Sequence, residues 1–271
     1  MESEVSSTTA EDFTYDPKAN YDEQTLEQQR EIEREVAQEC PLIGPLESLN
    51  NLKPEYIKDP VFLQKIERLV EKYPKFRRMR GDGNCFFRSM AFALLEQLSS
   101  PECKEKWDKL YKTMRESRDE LVKLGFPVFT LDDFHQSALS TMDAVKKNPE
   151  KVAEKFNEPG VADYFVVYLR LLTSAEIQKQ EDFYGNFIEG QGSVREFCQH
   201  EVEPMYKESD NVHIIALTSA LSASVRVEYL DRAEGSSTSS YDFPEGSEPT
   251  VFLLYRPGHY DVLYRTNADE K

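Results

Sequence analysis

The sequence predicts an α+β fold, with helices packed around a small, mostly antiparallel sheet. Three observations predict it. From residue 59 to residue 221 apolar side chains recur at helical spacing in one segment after another. After residue 223 the period changes to two, and three short apolar strands follow. No internal repeat and no Pro/Gly-rich linker divides this stretch into two folding units. At 271 residues the chain suits one large domain or two small ones.

The elements follow in order. Residues 1–20 are rich in Ser, Thr, Glu and Asp, and disorder is expected. Residues 22–38 (DEQTLEQQREIEREVAQ) are strong helix formers, but Leu26, Ile32 and Val36 make only a thin apolar stripe. Such a segment is either a solvated helix or one that orders when a partner arrives. Residues 1–40 therefore form an acidic, largely disordered extension, and 41–266 the folded domain. Asp59 is placed to cap a helix with Pro60 at its first position, and Phe62, Ile66, Leu69, Val70 and Tyr73 line its core face. Pro74 ends it. KFRRMR (75–80) is a short basic patch.

Ser100-Pro101 opens a helix carrying Trp107, Leu110, Tyr111 and Met114. Thr130 with Asp133 resembles a capping box for the next, and Asn148-Pro149 starts a short one. Asp163–Leu172 is apolar nearly all round and is expected as a buried central helix. Ser193 begins a helix that Pro204 ends, and Asp210 caps another over VHIIALTSALSA. Val225, Val227 and Tyr229 alternate as a strand. Residues 232–248 read as a flexible Gly/Ser/Pro-rich loop. VFLLY (251–255) and HYDVLY (259–264) complete what looks like an antiparallel meander.

Composition narrows the function. The formal net charge is −17, and the first 40 residues, with 12 acidic and 3 basic side chains, contribute −9 of it. Nucleic-acid binding, which needs a basic face, is not expected. The four cysteines are widely spaced with no CxxC pair, and no N-x-[S/T] site occurs, which points to a reducing compartment. The longest apolar run is interrupted by Asp163 and Arg170 and is too short for a bilayer. A monomeric cytoplasmic protein is expected, with the nucleus left open as a second compartment. Cys198 and His200 are near neighbours, but they fall on different faces of a helix and do not suggest a metal. No cofactor is implied.

The chemistry concentrates at two places. In RGDGNCFFRSMA (80–91) a glycine loop leads into the first turn of an apolar helix, with Cys85 at the junction. Unpaired N–H groups and the positive dipole end there stabilise an anion by about 0.3–1 kcal/mol, and a thiolate is the nucleophilic form of cysteine. Gly81 and Gly83 let a substrate backbone come close. Asp82 and Asn84 could brace the loop. A structural cysteine at a helix start fits the same residues. Far downstream, His259 and Asp261 stand two apart on a strand and so project to one face. The carboxylate can then orient the imidazole as a base. A polar strand end is the simpler reading of that pair alone; the cysteine shifts the balance toward a Cys–His–Asp site.

GDGNCFFRS followed by RPGHYDVLY resembles the OTU family of cysteine deubiquitinases. LRLLTS, EVEPM, VEYLDR and LLYRPGHYD are similar to the otubains, of the larger type with an N-terminal extension. The resemblance runs from about residue 20 to 265. Phe87 and Ser89 depart from the Tyr and Ala common in related chains.

The resemblance implies a papain-like fold and a thiol isopeptidase that prefers lysine-48-linked polyubiquitin. Cys85 would be its nucleophile, His259 its base, Asp261 the orienting group and Asp82 a loop-shaping member of the active site. An oxyanion hole would come from backbone N–H groups of the loop and of Cys85. Ile215, Tyr229, Asp231, Tyr255 and Tyr260 are candidates for contacting ubiquitin, with core or rim packing as the other reading of each. Residues 22–38 are the candidate site for a second ubiquitin. The alternative is a non-catalytic inhibitor that binds ubiquitin-charged conjugating enzymes.

Overall fold

The computed structural model describes residues 40–188, 192–233 and 235–265. The expected helix at 22–38 lies outside them. Residues 41 onward form a compact unit of their own.

Its first strand, β1 (Ile43–Ser48), runs into a 3-10 helix, Leu49–Tyr56. Helix α1 (Pro60–Lys72) follows, with the Asp59 side chain accepting from the Phe62 N–H and Pro60 in the first turn. Phe62, Ile66 and Leu69 bury its inner face, as the periodicity predicts. Strand β2 (Lys75–Met79) leads to the Gly81–Asn84 loop and helix α2 (Cys85–Leu98). α2 is buried on nearly every side, because it packs on the sheet and is covered by further helices. These are α3 (Lys104–Lys123), α4 (Val128–Lys147), α5 (Val152–Asn157) and α6 (Val161–Lys179). Two single-turn helices, α7 (Glu181–Tyr184) and α8 (Val194–Phe197), precede a π-helical turn over Cys198–Val202. Helix α9 (Asn211–Leu221) is capped by Asp210, whose carboxylate accepts from Val212 and His213.

The sheet has six strands. After α9 come β3 (Val225–Tyr229), β4 (Ser239–Phe243), β5 (Val251–Arg256) and β6 (His259–Tyr264), in the order β1-β2-β6-β5-β3-β4. Every pairing is antiparallel except β3 with β5. One large core lies between the sheet and the helical layer, and a smaller one under α1.

Four local expectations need correction. The basic patch at 75–80 is mostly a strand: Phe76 and Met79 face inward. Its arginines are matched locally, Arg77 to Glu96 and Arg78 to Glu47 at 2.9 Å. Phe76 and Met79 are three apart and enter different cores on the two faces of β2, so this short strand carries no period-two pattern to read. The flexible loop at 232–248 contains β4, an edge strand fastened to β3 by paired Arg226 and Asp242. Because the chain crosses β3 after β4, β3 and β5 are parallel and no simple meander forms. The helix expected to open at Thr130 opens at Val128 instead. The Thr130 hydroxyl donates to the Pro127 carbonyl rather than accepting as a cap. No helix among the described residues is long and apolar enough to cross a membrane.

Candidate active site

Cys85 is the first residue of α2 and is 4% exposed. The loop before it is held from both sides. Gly83 sits at φ +75°, and a Cβ there would collide with the Tyr206 carbonyl. That combination of left-handed backbone and close approach requires glycine. Asp82 accepts the Asn84 N–H at 3.0 Å and makes a two-pronged pair with Arg88, at 3.0 and 2.7 Å. Arg88 lies one helical turn after Cys85 and is fully buried, so the Asp82 carboxylate is the near neutraliser of its charge. Asn84 is also fully buried and does not cap α2. Its Oδ1 accepts from Arg170 at 3.0 Å and from the Tyr206 N–H at 2.9 Å.

His259 and Asp261 begin β6, immediately after the Pro257-Gly258 turn. His259 Nε2 donates to Asp261 Oδ1 at 2.8 Å. The other ring nitrogen faces the nucleophile loop, since a Cβ on Gly81 would lie 3.4 Å from His259 Nδ1. Asp261 is fully buried yet well supplied. Oδ1 also accepts the Met79 N–H at 3.0 Å, and Oδ2 accepts from Arg256 at 2.6 Å. The pairing of β2 with β6 brings Met79 to it.

The titration directions follow. For His259, burial opposes the charge, but hydrogen bonds to Asp261 and Cys85 outweigh it and raise the imidazole to about 9. For Asp261, burial again opposes the charge, and the His259 hydrogen bond with the Arg256 charge holds the carboxyl below its ordinary value. An oriented imidazole between a carboxylate and a thiol is the arrangement that activates a nucleophile.

The chain matches the peptidase C65 otubain family over residues 35–265. It belongs to that family. The match covers the loop, α2, α6 and the β5–β6 hairpin in one stretch. The chain is 46% identical to human ubiquitin thioesterase OTUB1 over 248 residues, which is 90% of this chain and 91% of that one. It is 36% identical over 263 residues to an ovarian tumor domain-containing deubiquitinating enzyme of Arabidopsis thaliana, over 89% of this chain and 86% of that one. A solved structure of h/ceOTUB1 with ubiquitin aldehyde and UBCH5B~Ub superposes with a TM-score of 0.84 at 34% identity. It covers 91% of this chain and 99% of that one.

The remaining candidates of this otubain fall into two groups. Tyr229, Tyr255 and Tyr260 are brought together as one aromatic row, with ring centroids 5.0 and 5.1 Å apart. The row continues from Tyr260 to Phe86, beside Cys85. Tyr260 is the innermost, at 4% exposure, while Tyr229 donates its hydroxyl to Asn211. Burial, helped by the neighbouring Tyr255 and Tyr241, raises the Tyr229 phenol to about 12. Asp231 is not joined to that row by a direct bond. Its carboxylate accepts from the buried Lys65 at 3.1 Å and from the Ala233 N–H. Ile215 lines a cleft of about 800 Å³ together with Phe183, Tyr241 and Phe243.

Sequence reasoning passed over three arginines that hold the site: Arg88, Arg170 and Arg256. The signal for two of them was available. A lone arginine inside an apolar helix, as in DYFVVYLRLLTS or CFFRSMAF, must find internal acceptors once the helix is buried.

Proposed function

We propose that this otubain is a thiol isopeptidase that hydrolyses ubiquitin–lysine bonds, with a preference for lysine-48-linked chains. The observation that carries the reading is the imidazole of His259, held at 2.8 Å by a buried carboxylate and turned toward a cysteine at a helix start. The names of the related proteins support the substrate class.

The steps follow from the atoms. His259 Nδ1 takes the Cys85 thiol proton, and Sγ attacks the carbonyl carbon of ubiquitin's terminal glycine. The electron pair moves to the carbonyl oxygen. The Cys85 N–H and the positive end of α2 face that oxyanion. The Asn84 N–H is not a donor to it, because Asp82 already holds it. Collapse breaks the C–N bond, and the His259 imidazolium gives its proton to the leaving lysine amine. A thioester is left on Cys85. His259 then takes a proton from water, whose oxygen attacks the thioester carbon; the C–S bond breaks, ubiquitin leaves with a free carboxyl group, and the imidazolium returns the proton to the Cys85 sulfur. Asp261 accepts the Nε2–H throughout, so Nδ1 is the nitrogen that takes up and gives back the proton.

Linkage preference needs a second ubiquitin seated with its lysine at Cys85, and residues 22–38 are assigned to that task. The test is a panel of differently linked di-ubiquitins offered to wild type and to Cys85→Ala. Cleavage confined to the lysine-48 linkage, lost in the variant, is expected. Equal cleavage of several linkages would sink the preference, and activity in the variant would sink the nucleophile.

A second reading has its own support: the similar solved structures hold OTUB1 with UBCH5B~Ub and UBC13~Ub. Inhibition of a ubiquitin-conjugating enzyme by binding would survive Cys85→Ala. Removing residues 1–40 would harm it together with linkage choice, and spare hydrolysis of a simple ubiquitin ester.

A further inference from the structure

Arg170 is fully buried in α6, and its guanidinium meets four neutral acceptors. It donates to the carbonyls of Val202 at 3.0 Å, Gly83 at 3.0 Å and Lys207 at 2.7 Å, and to Asn84 Oδ1 at 3.0 Å. Its flat face lies 4.5 Å from the Phe87 ring centroid. Among the described residues no carboxylate is within ion-pairing distance of it. Arg88, the neighbouring buried cation, is by contrast matched directly by Asp82.

An unneutralised buried cation is costly, so its position is informative. Two of its acceptors, Gly83 and Asn84, immediately precede Cys85. The other two are Val202, the last residue of the π-helical turn, and Lys207, on the segment from there to α9, which also presses the Tyr206 carbonyl against Gly83. Tyr206 itself has φ 68°, an unusual backbone for a non-glycine residue. The Asn84 side chain fastens that residue to the loop. One guanidinium thus ties three chain segments together beside the thiol.

We propose that Arg170 is a positioning residue for the Cys85 reaction: it clamps the nucleophile loop to the 202–207 segment, and its fixed charge favours the thiolate. This rests on the reading of Cys85 as the nucleophile. Burial lowers the Arg170 guanidinium to about 10, with the nearby Asp82 and Cys85 opposing the fall. It stays charged at neutral pH and acts on the thiol from a site that water does not screen. A fork of donors suits four divergent acceptors. A lysine would keep the charge and lose the fork.

The experiment compares wild type, Arg170→Gln and Arg170→Lys as full-length chains. Two rates are read: hydrolysis of a lysine-48 di-ubiquitin, and iodoacetamide alkylation of Cys85 at pH 7, located by peptide mass spectrometry. Arg170→Gln is expected to lower kcat by more than about tenfold with KM within about twofold, and to slow alkylation about tenfold. Arg170→Lys is expected to lower kcat about tenfold and to leave alkylation near the wild-type rate. The direction of the alkylation change separates this role from loosened packing. Loosening exposes a cysteine that is 4% exposed and speeds its alkylation. Faster or unchanged alkylation in Arg170→Gln overturns the charge role, and unchanged kcat in Arg170→Lys overturns the clamp. If Arg170→Gln does not fold, Arg170→Lys decides both: kcat about tenfold lower with near-wild-type alkylation is the expected result, unchanged kcat overturns the clamp, and alkylation slowed about tenfold although the charge is kept overturns the charge role. Loss of the isopeptidase reading would show separately, as hydrolysis absent from wild type or retained by Cys85→Ala.

Discussion

Arg256 reaches Asp261 Oδ2 at 2.6 Å and Glu55 Oε2 at 3.0 Å, and so joins the carboxylate behind His259 to the 3-10 helix after β1. The same carboxylate turns its other oxygen to His259. One side chain therefore both keeps Asp261 ionised and fixes which oxygen the imidazole meets. Arg256→Gln is expected to lower kcat on the order of tenfold, a part of the 10²–10⁴ that a positioned proton-transfer group supplies. The carboxyl of Asp261 is held below its ordinary value. Its contribution to stability is thus present above the unfolded carboxyl range and is lost as pH falls through the lowered folded value. In Arg256→Gln that loss should begin at higher pH. Urea titrations of both proteins from pH 3 to 6 would show it, and superimposable curves would refute it.

His259 titrates in the opposite sense. Its folded value is raised from 6.5 to about 9. The stability it confers is complete below the unfolded value and disappears as pH rises through about 9. The size is on the order of 2 kcal/mol, given about 1.4 kcal/mol for each unit and partial exposure of the ring. Isopeptide hydrolysis should decline over the same range, because the leaving amine needs the imidazolium proton. A pH–rate profile for kcat/KM should show its basic limb near 9, and His259→Asn should lack the matching slope in stability. A flat stability difference between the two proteins across pH 6.5–9 would contradict the assignment.

Gly83→Ala meets two obstacles at one atom: a φ of +75° and the Tyr206 carbonyl. Strain of this kind is about 1–3 kcal/mol. Thermal unfolding should register it, and ester hydrolysis should fall with it because the loop leads directly to Cys85. A variant with wild-type melting temperature and rate would show that the segment bearing Tyr206 yields easily.

Asp82→Ala leaves the fully buried Arg88 with Asp163 at 3.6 Å as its remaining carboxylate. Breaking a buried pair from one side costs about 3–5 kcal/mol, and partial exposure of Asp82 places the expectation at the lower end. Chemical denaturation measures that loss. Turnover should fall as well, since Asp82 holds the Asn84 N–H.

Asp231→Ala tests a residue with two readings. A contact with ubiquitin's arginine-bearing tail would raise KM more than it lowers kcat. The Lys65 pairing adds a stability effect, because the buried ammonium keeps only the Asp231 and Ala233 carbonyls. Lower stability with unchanged KM would leave Asp231 as a brace for its own loop.

How far the sequence dictates an element depends on the range of the interactions that form it. Local signals held. The Asp59-Pro60 start of α1 and the Asp210 cap of α9 are set by atoms a few residues apart. The span of β6 is written in HYDVLY, and the shared face of His259 and Asp261 follows from strand period alone. Cys85 at a helix start needed only the glycine loop and the apolar run behind it.

What escaped was decided at a distance. β2 becomes a strand because β6, almost two hundred residues later, offers it a hydrogen-bonding edge, and β1 then pairs with the other side of β2. β4 forms in a Ser-rich stretch because β3 presents its free side. The partners of Arg170 and Arg256 lie in other elements, so the sequence alone could show a charge in apolar surroundings but not what it would hold. The sequence determined the candidate cysteine, histidine and aspartate and their local geometry, since short-range backbone periodicity is written residue by residue. Tertiary structure decided which buried cations brace them, because a guanidinium's acceptors are chosen only when separate segments close around it.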